Sequence, residues 1–400
     1  MRERIEGKFF DYRPFGPRDP DEVHRAATPL ELFFDLVTVI AVAAAAAGLH
    51  HGVAAGHAAE AIPPFLLAFL AIWWAWMNYT WYASAYDNDG QVYRLLTFVV
   101  MTGSLLLASS VSRFFDGFSI TLPVLAYVVM RLAMVALWLI AARHDPAHAT
   151  TARRYAAGIV VAQAFWVALA MFSVPGTGLF AGLLVLGWIA EVLVPWYAER
   201  AGRTPWHVDH IVERYGLLMI IMLGEILLAG SHSFATAGEA ISWSSPLLHI
   251  ALAALVIALS MWWLYFSADD HVRVHEHEKS LAFVWGYGHV VPFCATAAVG
   301  AGFAVLVDAA SGHSSLALRS GDIAVAVPLA IYLFGLWLVR DRWVIAGAAR
   351  HVLLLFAALV LVAGFLMPAA LETMAALCVA SVWLRAAPAT RQRRARQSPA

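Results

Sequence analysis

Among the ionisable residues within long apolar runs, eight define the chemistry open to this chain: Glu31, Asp35, Arg131, Glu191, Arg214, Glu225, His289 and Arg350. An ionised group at the centre of a bilayer costs about 2.5–3.5 kcal/mol on insertion scales, so each should face a partner or a water-filled cavity. That makes all eight candidates for binding an ion, a proton or a small substrate. Glu31 and Asp35 are four residues apart, hence on one helical face, with Thr38 following on the same stripe. Glu31 lies near a helix start, where capping or solvation is the structural alternative. For Asp35 the alternative is a buried ion pair. Arg214, Glu225 and His232 recur at spacings of eleven and seven, which return to nearly the same azimuth at about 100° per residue. Gly224, beside Glu225, is expected to admit a close backbone approach.

These side chains need helices to position them. Converting sequence position to depth at about 1.5 Å per residue places Asp35, Arg131, Glu191, His289 and Arg350 in one layer, roughly 18–21 Å from the outer surface of a slab about 30 Å thick. Two acids and two arginines at one depth should pair with each other, either as a fixed ionic lock or as the border of a polar cavity that Asp35 shares with Glu225. Gly286, Gly288, His289 and Pro292 crowd one segment and weaken its regular hydrogen bonding, as in broken transporter helices or a proline kink used for packing.

The composition sets the solvent. Of 400 residues 62% are hydrophobic and 13% charged, far from the soluble average, and a net charge of −1 gives no reason to expect nucleic acid. Apolar runs of roughly 20 residues imply an all-α polytopic membrane protein with about twelve spans: 29–49, 61–82, 92–111, 119–142, 153–173, 178–198, 211–231, 246–267, 281–307, 322–340, 343–364 and 366–385. A turn at 364–368 must separate the last two. No cleavable signal is expected ahead of the first span. Cys294 and Cys378 sit in apolar segments as small hydrophobes. The loop from Asp269 to Glu278 is rich in acids and histidines, but its spacing matches no zinc pattern and it reads as a solvated loop. No nucleotide-binding loop, dinucleotide fingerprint or serine-hydrolase elbow occurs, so no metal or cofactor is expected and an enzyme is the less favoured class.

Lysine and arginine fall mainly on alternate connections, which puts both termini in the cytoplasm. The motif Trp73-Trp74-Ala75-Trp76-Met77-Asn78 has a counterpart in Trp262-Trp263-Leu264-Tyr265-Phe266-Ser267, six helices later. Glu31-Leu32-Phe33 corresponds to Glu213-Arg214-Tyr215, and Arg94 with Phe98 to Lys279 with Phe283. These matches predict a parallel 6+6 repeat. The expected division is a tail 1–28, a first half 29–198, a linker 199–210, a second half 211–385 and a basic tail 386–400.

The stretch TPLELFFDLVTVIAV from Thr28 to Val42, together with HIVERYGLLMIIMLGEIL beginning at His210, resembles the bacterial low-temperature-requirement A family. Thr38 stands where the family pattern has an aromatic residue, which makes this face more polar. The resemblance implies a multi-pass bacterial inner-membrane protein named for a cold-growth phenotype, and it supplies no reaction. With the bilayer as partner and a small molecule or ion as substrate, the residues favour a proton- or ion-coupled secondary transporter. The alternatives are an ion channel, a lipid-acting membrane enzyme, and a structural or regulatory membrane protein. The acid-aromatic start of the first helix is distantly similar to the six-helix-repeat potassium channels without a pore loop.

Overall fold

The computed structural model describes residues 15–20, 22–23, 25–237, 246–267 and 280–397. Among them every regular element is a helix: α1 (Pro29–Ala54), α2 (Ala58–Tyr86), α3 (Gln91–Gly117), α4 (Thr121–His144), α5 (Ala149–Phe172), α6 (Gly178–Glu199), α7 (Val208–Ala237), α8 (Pro246–Phe266), α9 (Ser280–Gly288), α10 (Val290–Ser311), α11 (Leu318–Leu336), α12 (Val352–Leu366) and α13 (Ala370–Gln397). With no water in hydrocarbon, the chain satisfies its backbone groups within helices. Ten helices among the described residues are long and apolar enough to cross a membrane, counting 284–311, 318–341 and 347–366 as one each. The turn expected at 364–368 separates α12 from α13, with Met367 extended between them.

The chain divides into two compact units, one drawn from Met1–Ala41 and Ile72–Arg214, the other from Val42–Ala71 and Tyr215–Ala400. In the first, α3, α4, α5 and α6 pack in sequence order. Gly103 lets α3 approach α4 because a Cβ there would collide with Met130 and the Ala126 carbonyl. Trp138 of α4 stacks on Tyr155 of α5 with centroids 4.1 Å apart. Arg25 closes the end of α2, donating to the carbonyls of Ser84 at 2.6 Å and Ala83 at 2.8 Å. A cation there satisfies orphan acceptors and complements the helix dipole.

In the second unit α10 packs on α11, α11 on α12, α12 on α13 and α13 on α8. Gly302 of α10 sits where a Cβ would strike the Ala324 carbonyl of α11. Arg340 and Arg385 close the end of α8: Arg340 donates to the Tyr265 carbonyl at 2.6 Å and the Leu264 carbonyl at 2.7 Å, and Arg385 to the Leu264 carbonyl at 3.2 Å. Asp341 bridges the two guanidiniums at 3.1 and 2.8 Å.

The weak segment breaks at His289, between α9 and α10. The His289 amide donates to the Gly286 carbonyl at 3.3 Å, and its Nδ1–H takes over the Trp285 carbonyl at 2.7 Å. Pro292, which has no N–H, falls in the first turn of α10, where that loss matters least. Arg350 departs from expectation. The stretch 337–351 is a π turn, a short α turn and a 3₁₀ turn (Gly347–His351) rather than the regular start of a span. Arg350 is therefore exposed in the 3₁₀ turn, its Nε donating to the Ile345 carbonyl at 3.1 Å, and it is not part of a buried charged layer.

Candidate functional site

Arg214, in the second turn of α7, is fully buried and is the hub of the first ionic centre. Its Nη2 donates to Asp35 Oδ1 at 2.6 Å and its Nε to Asp35 Oδ2 at 3.2 Å, a two-pronged contact suited to a planar guanidinium. Nη1 lies 3.0 Å from Glu31 Oε1 without hydrogen-bond alignment, so that contact is electrostatic. Trp76 Nε1–H of α2 donates to Asp35 Oδ1 at 2.7 Å. Glu31 also caps its own helix: Thr28 N–H donates to Glu31 Oε2 at 2.8 Å and Glu31 N–H to Thr28 Oγ1 at 3.3 Å, a capping box at the start of α1. Capping is thus one of its roles, and solvation is not, because Glu31 is completely buried.

His210, one turn before Arg214, lies 3.2 Å from both Glu31 carboxylate oxygens. With His210 neutral, two carboxylates face one guanidinium, an excess of one negative charge in a dry site. One proton on His210, Glu31 or Asp35 brings the centre to neutrality. His210 Nδ1 makes no hydrogen bond and is the one ring nitrogen open to that proton.

The second centre surrounds Glu191 of α6. Its Oε2 accepts from Arg131 Nη2 of α4 and Trp74 Nε1 of α2, both at 3.0 Å. Its Oε1 accepts from Gln163 Nε2 and Trp166 Nε1 of α5, both at 3.2 Å. Four donors, one of them a guanidinium, tie this carboxyl group to three neighbouring helices. Chemically it is a lock. Trp74 and Trp76, two residues and about 200° apart on α2, aim their N–H groups at opposite sides, one into each centre.

Glu225 of α7 is half-buried and has no hydrogen bond or ion pair among the described residues. It borders a cavity of about 470 Å³ whose other titratable lining groups are His50, Asp308 and His313. His50 Nε2 lies 2.7 Å from Asp308 Oδ2, and Ser311 Oγ lies 2.7 Å from His313 Nδ1. Alanines 43, 46, 47, 301 and 304 with Gly300 make the space by being small. The close approach at Glu225 comes from Gly300, where a Cβ would lie 3.5 Å from Glu225 Cβ, whereas a Cβ on Gly224 would meet nothing within 4 Å.

Of the expected layer, then, Arg131 and Glu191 come together, Asp35 pairs with Arg214, and Arg350 stands apart. His289 is buried among Tyr215, Trp285, Tyr265 and Phe293, with centroids 5.2, 4.2, 5.9 and 5.5 Å away, so it belongs to an aromatic cluster. The cavity expected to border both Asp35 and Glu225 borders only Glu225. Asp35 has no exposure, because Arg214 and Trp76 occupy its carboxylate. The side chain of His232 and the loop Asp269–Glu278 lie outside the described residues. No cluster of three metal-capable side chains occurs among the described residues. The sequence pointed to neither His210, Gln163 nor the His50–Asp308 pair as site residues, and it offered Trp74 and Trp76 only as part of the repeat motif. The available signals were the tryptophan pair two residues apart and a lone glutamine within an apolar span. Of their counterparts in the second motif, Trp263 is 54% exposed and Tyr265 is buried against His289 and Phe293, so the role is not repeated.

Long apolar helices with charged partners buried between them define a multi-pass α-helical membrane protein. The family profile described as bacterial low temperature requirement A protein matches residues 26–386, nearly the whole chain, and the chain belongs to that family. It is also 29% identical over 281 residues to a protein of Rhizobium meliloti (strain 1021) described as uncharacterized protein RA0937. That match covers 65% of this chain, and the chain spans 64% of the relative's length.

Proposed function

We propose that this chain is a proton- or ion-coupled secondary transporter of the bacterial cytoplasmic membrane, with twelve spans, two parallel six-helix halves (29–198 and 211–385) and both termini in the cytoplasm. Two long helices beyond the ten apolar ones, Val208–Ala237 and Ala370–Gln397, supply the count of twelve. The observation that carries the reading is Glu225: a carboxylate on a long helix, unpaired with any cation among the described residues, at the border of a cavity that three other titratable side chains also line. A carboxylate that exchanges protons with solvent needs such a cavity, and a structural ion pair does not. Asp308 and His50 lie near helix ends, and Asp308 is about 12 Å along α10 from Gly300 at Glu225, so titratable groups line the way in. The centre at Arg214 is the second coupling element and shares α7 with Glu225.

A second reading has its own support. Asp35 and Glu191 are sealed, with 0% and 2% exposure, as expected of a structural or regulatory membrane protein held by ionic locks. Flux decides between them. In proteoliposomes with an internal pH-sensitive dye, an imposed ion or substrate gradient should move protons, and Glu225→Gln should abolish that flux while the protein still inserts and elutes as the wild type does. Flux that persists in Glu225→Gln, or no flux with any gradient in the wild type, overturns the transport reading. Saturation with substrate separates a carrier from a channel.

A further inference from the structure

A second cavity in the unit built from residues 42–71 and 215–400 has a different chemistry. It measures about 790 Å³ and lies among the end of α1, the first half of α2, α10 and α11. Its wall is apolar nearly throughout: Phe65 and Phe69 are 2% and 1% exposed and Val305 1%, forming a closed floor. On the rim Ile62, Leu66 and Ile331 are 45%, 49% and 44% exposed. On a protein whose helices stand in a bilayer, such a rim faces hydrocarbon, so the cavity opens sideways into the membrane rather than to water.

Its length and polarity narrow the occupant. From Val290 to Val305 along α10 the wall runs about 22 Å, most of a hydrocarbon core about 30 Å thick. The polar lining side chains, His50 and Ser320, cluster at one end, level with the α1–α2 turn at Gly56 and the start of α11. A long, one-ended apolar slot with a sideways mouth suits an extended hydrocarbon chain whose polar head stays at the membrane surface. Bilayer lipid is already out of water, so selectivity must come from the fit of the chain and from the head contacting His50 and Ser320.

We propose that this cavity is a binding site for an acyl chain of a bilayer phospholipid, its head group at His50 and Ser320. The inference does not need the transport reading: the slot adjoins the cavity at Glu225, sharing His50 and Ala301 with it, but its occupancy is predicted whether or not ions move. Ala298 and Val327 line the slot and are half-buried, so a larger side chain at either fills it. The full chain in nanodiscs should be photolabelled with a phosphatidylethanolamine carrying a diazirine midway along one acyl chain, and the adducts mapped by peptide mass. Adducts should concentrate in 290–305 and 320–331. Ala298→Trp and Val327→Trp should each lower labelling there at least several-fold, while Leu132→Trp, on an exposed face of α4, leaves it unchanged. Two slot variants guard against one that misfolds, and each must match the wild type in elution and thermal unfolding. Even labelling over all exposed helix faces, or labelling unchanged in the folded slot variants, overturns the proposal. So does labelling by a diazirine fatty acid but not by the phospholipid.

Discussion

Arg214 is the residue on which the first centre depends, because it alone offsets both Glu31 and Asp35 where neither reaches water. Removing one partner of a buried ion network leaves the others uncompensated, typically costing about 3–5 kcal/mol. Arg214→Gln should lower the thermal midpoint in detergent sharply. Arg214→Lys should recover only part of it, because an ammonium lacks the fork that spans both Asp35 oxygens. Asp87, just past the end of α2, carries a pH prediction. Burial, then the charge of Glu31, pushes its carboxyl up to about 6, against the opposing Asp89 amide, Arg25 and Arg18. A carboxyl whose folded-state value exceeds its unfolded value favours the folded state fully below about 4, and that contribution is lost as pH rises towards 6. Asp87→Asn should flatten stability between about pH 4 and 6 and should raise it above pH 6 by roughly 2 to 3 kcal/mol. Tryptophan-fluorescence melting across that range checks both parts, and an unchanged profile counts against the burial argument.

At the scale of the helix, glycine separates two cases that look alike in sequence. Gly302 is pressed against the Ala324 backbone, and a carbonyl in a helix cannot swing aside as a side-chain tip can. Gly302→Ala should therefore cost about 1–3 kcal/mol by overpacking. Gly224 has open space around its missing Cβ, so Gly224→Ala should be neutral or stabilising by up to about 1 kcal/mol through helix propensity. Paired melting curves test the difference, and equal effects would refute the packing assignment. The break at His289 shows the opposite relation. Glycines, a proline and a histidine close together weakened one helix visibly in the sequence, and the break falls among them. What was not visible is that the histidine repairs the break by bonding the Trp285 carbonyl.

For the whole molecule, the count of basic residues on alternate connections makes a direct forecast. Reporters fused after residues 148 and 206 should read cytoplasm, and those after 55, 116 and 314 the outside. Two or more inversions would remove the basis for placing both termini in the cytoplasm. The positive-inside bias acts during insertion, through short loops, and so belongs to the chain rather than to any contact within the folded state.

By itself the sequence determined the class, the approximate helices and the places where charge enters apolar segments, because each follows from composition and from a rise of about 1.5 Å per residue. Family membership was likewise legible, in the segments starting at Thr28 and His210. The tertiary structure alone decided the partners. Depth along a helix axis is one coordinate, and a salt bridge requires azimuth, neighbour and side-chain reach as well. Asp35 was therefore placed with Arg131 by depth and found with Arg214 by packing, four residues beyond a histidine that shares the same face of α7. Trp74 and Trp76 read as part of an aromatic helix end, yet their indole N–H groups hold two separate acids, because only the packed helices bring Glu191 and Asp35 to opposite sides of α2. For the same reason a cavity beside Glu225 cannot be read from Glu225, since its space is made by alanines and a glycine on two other helices.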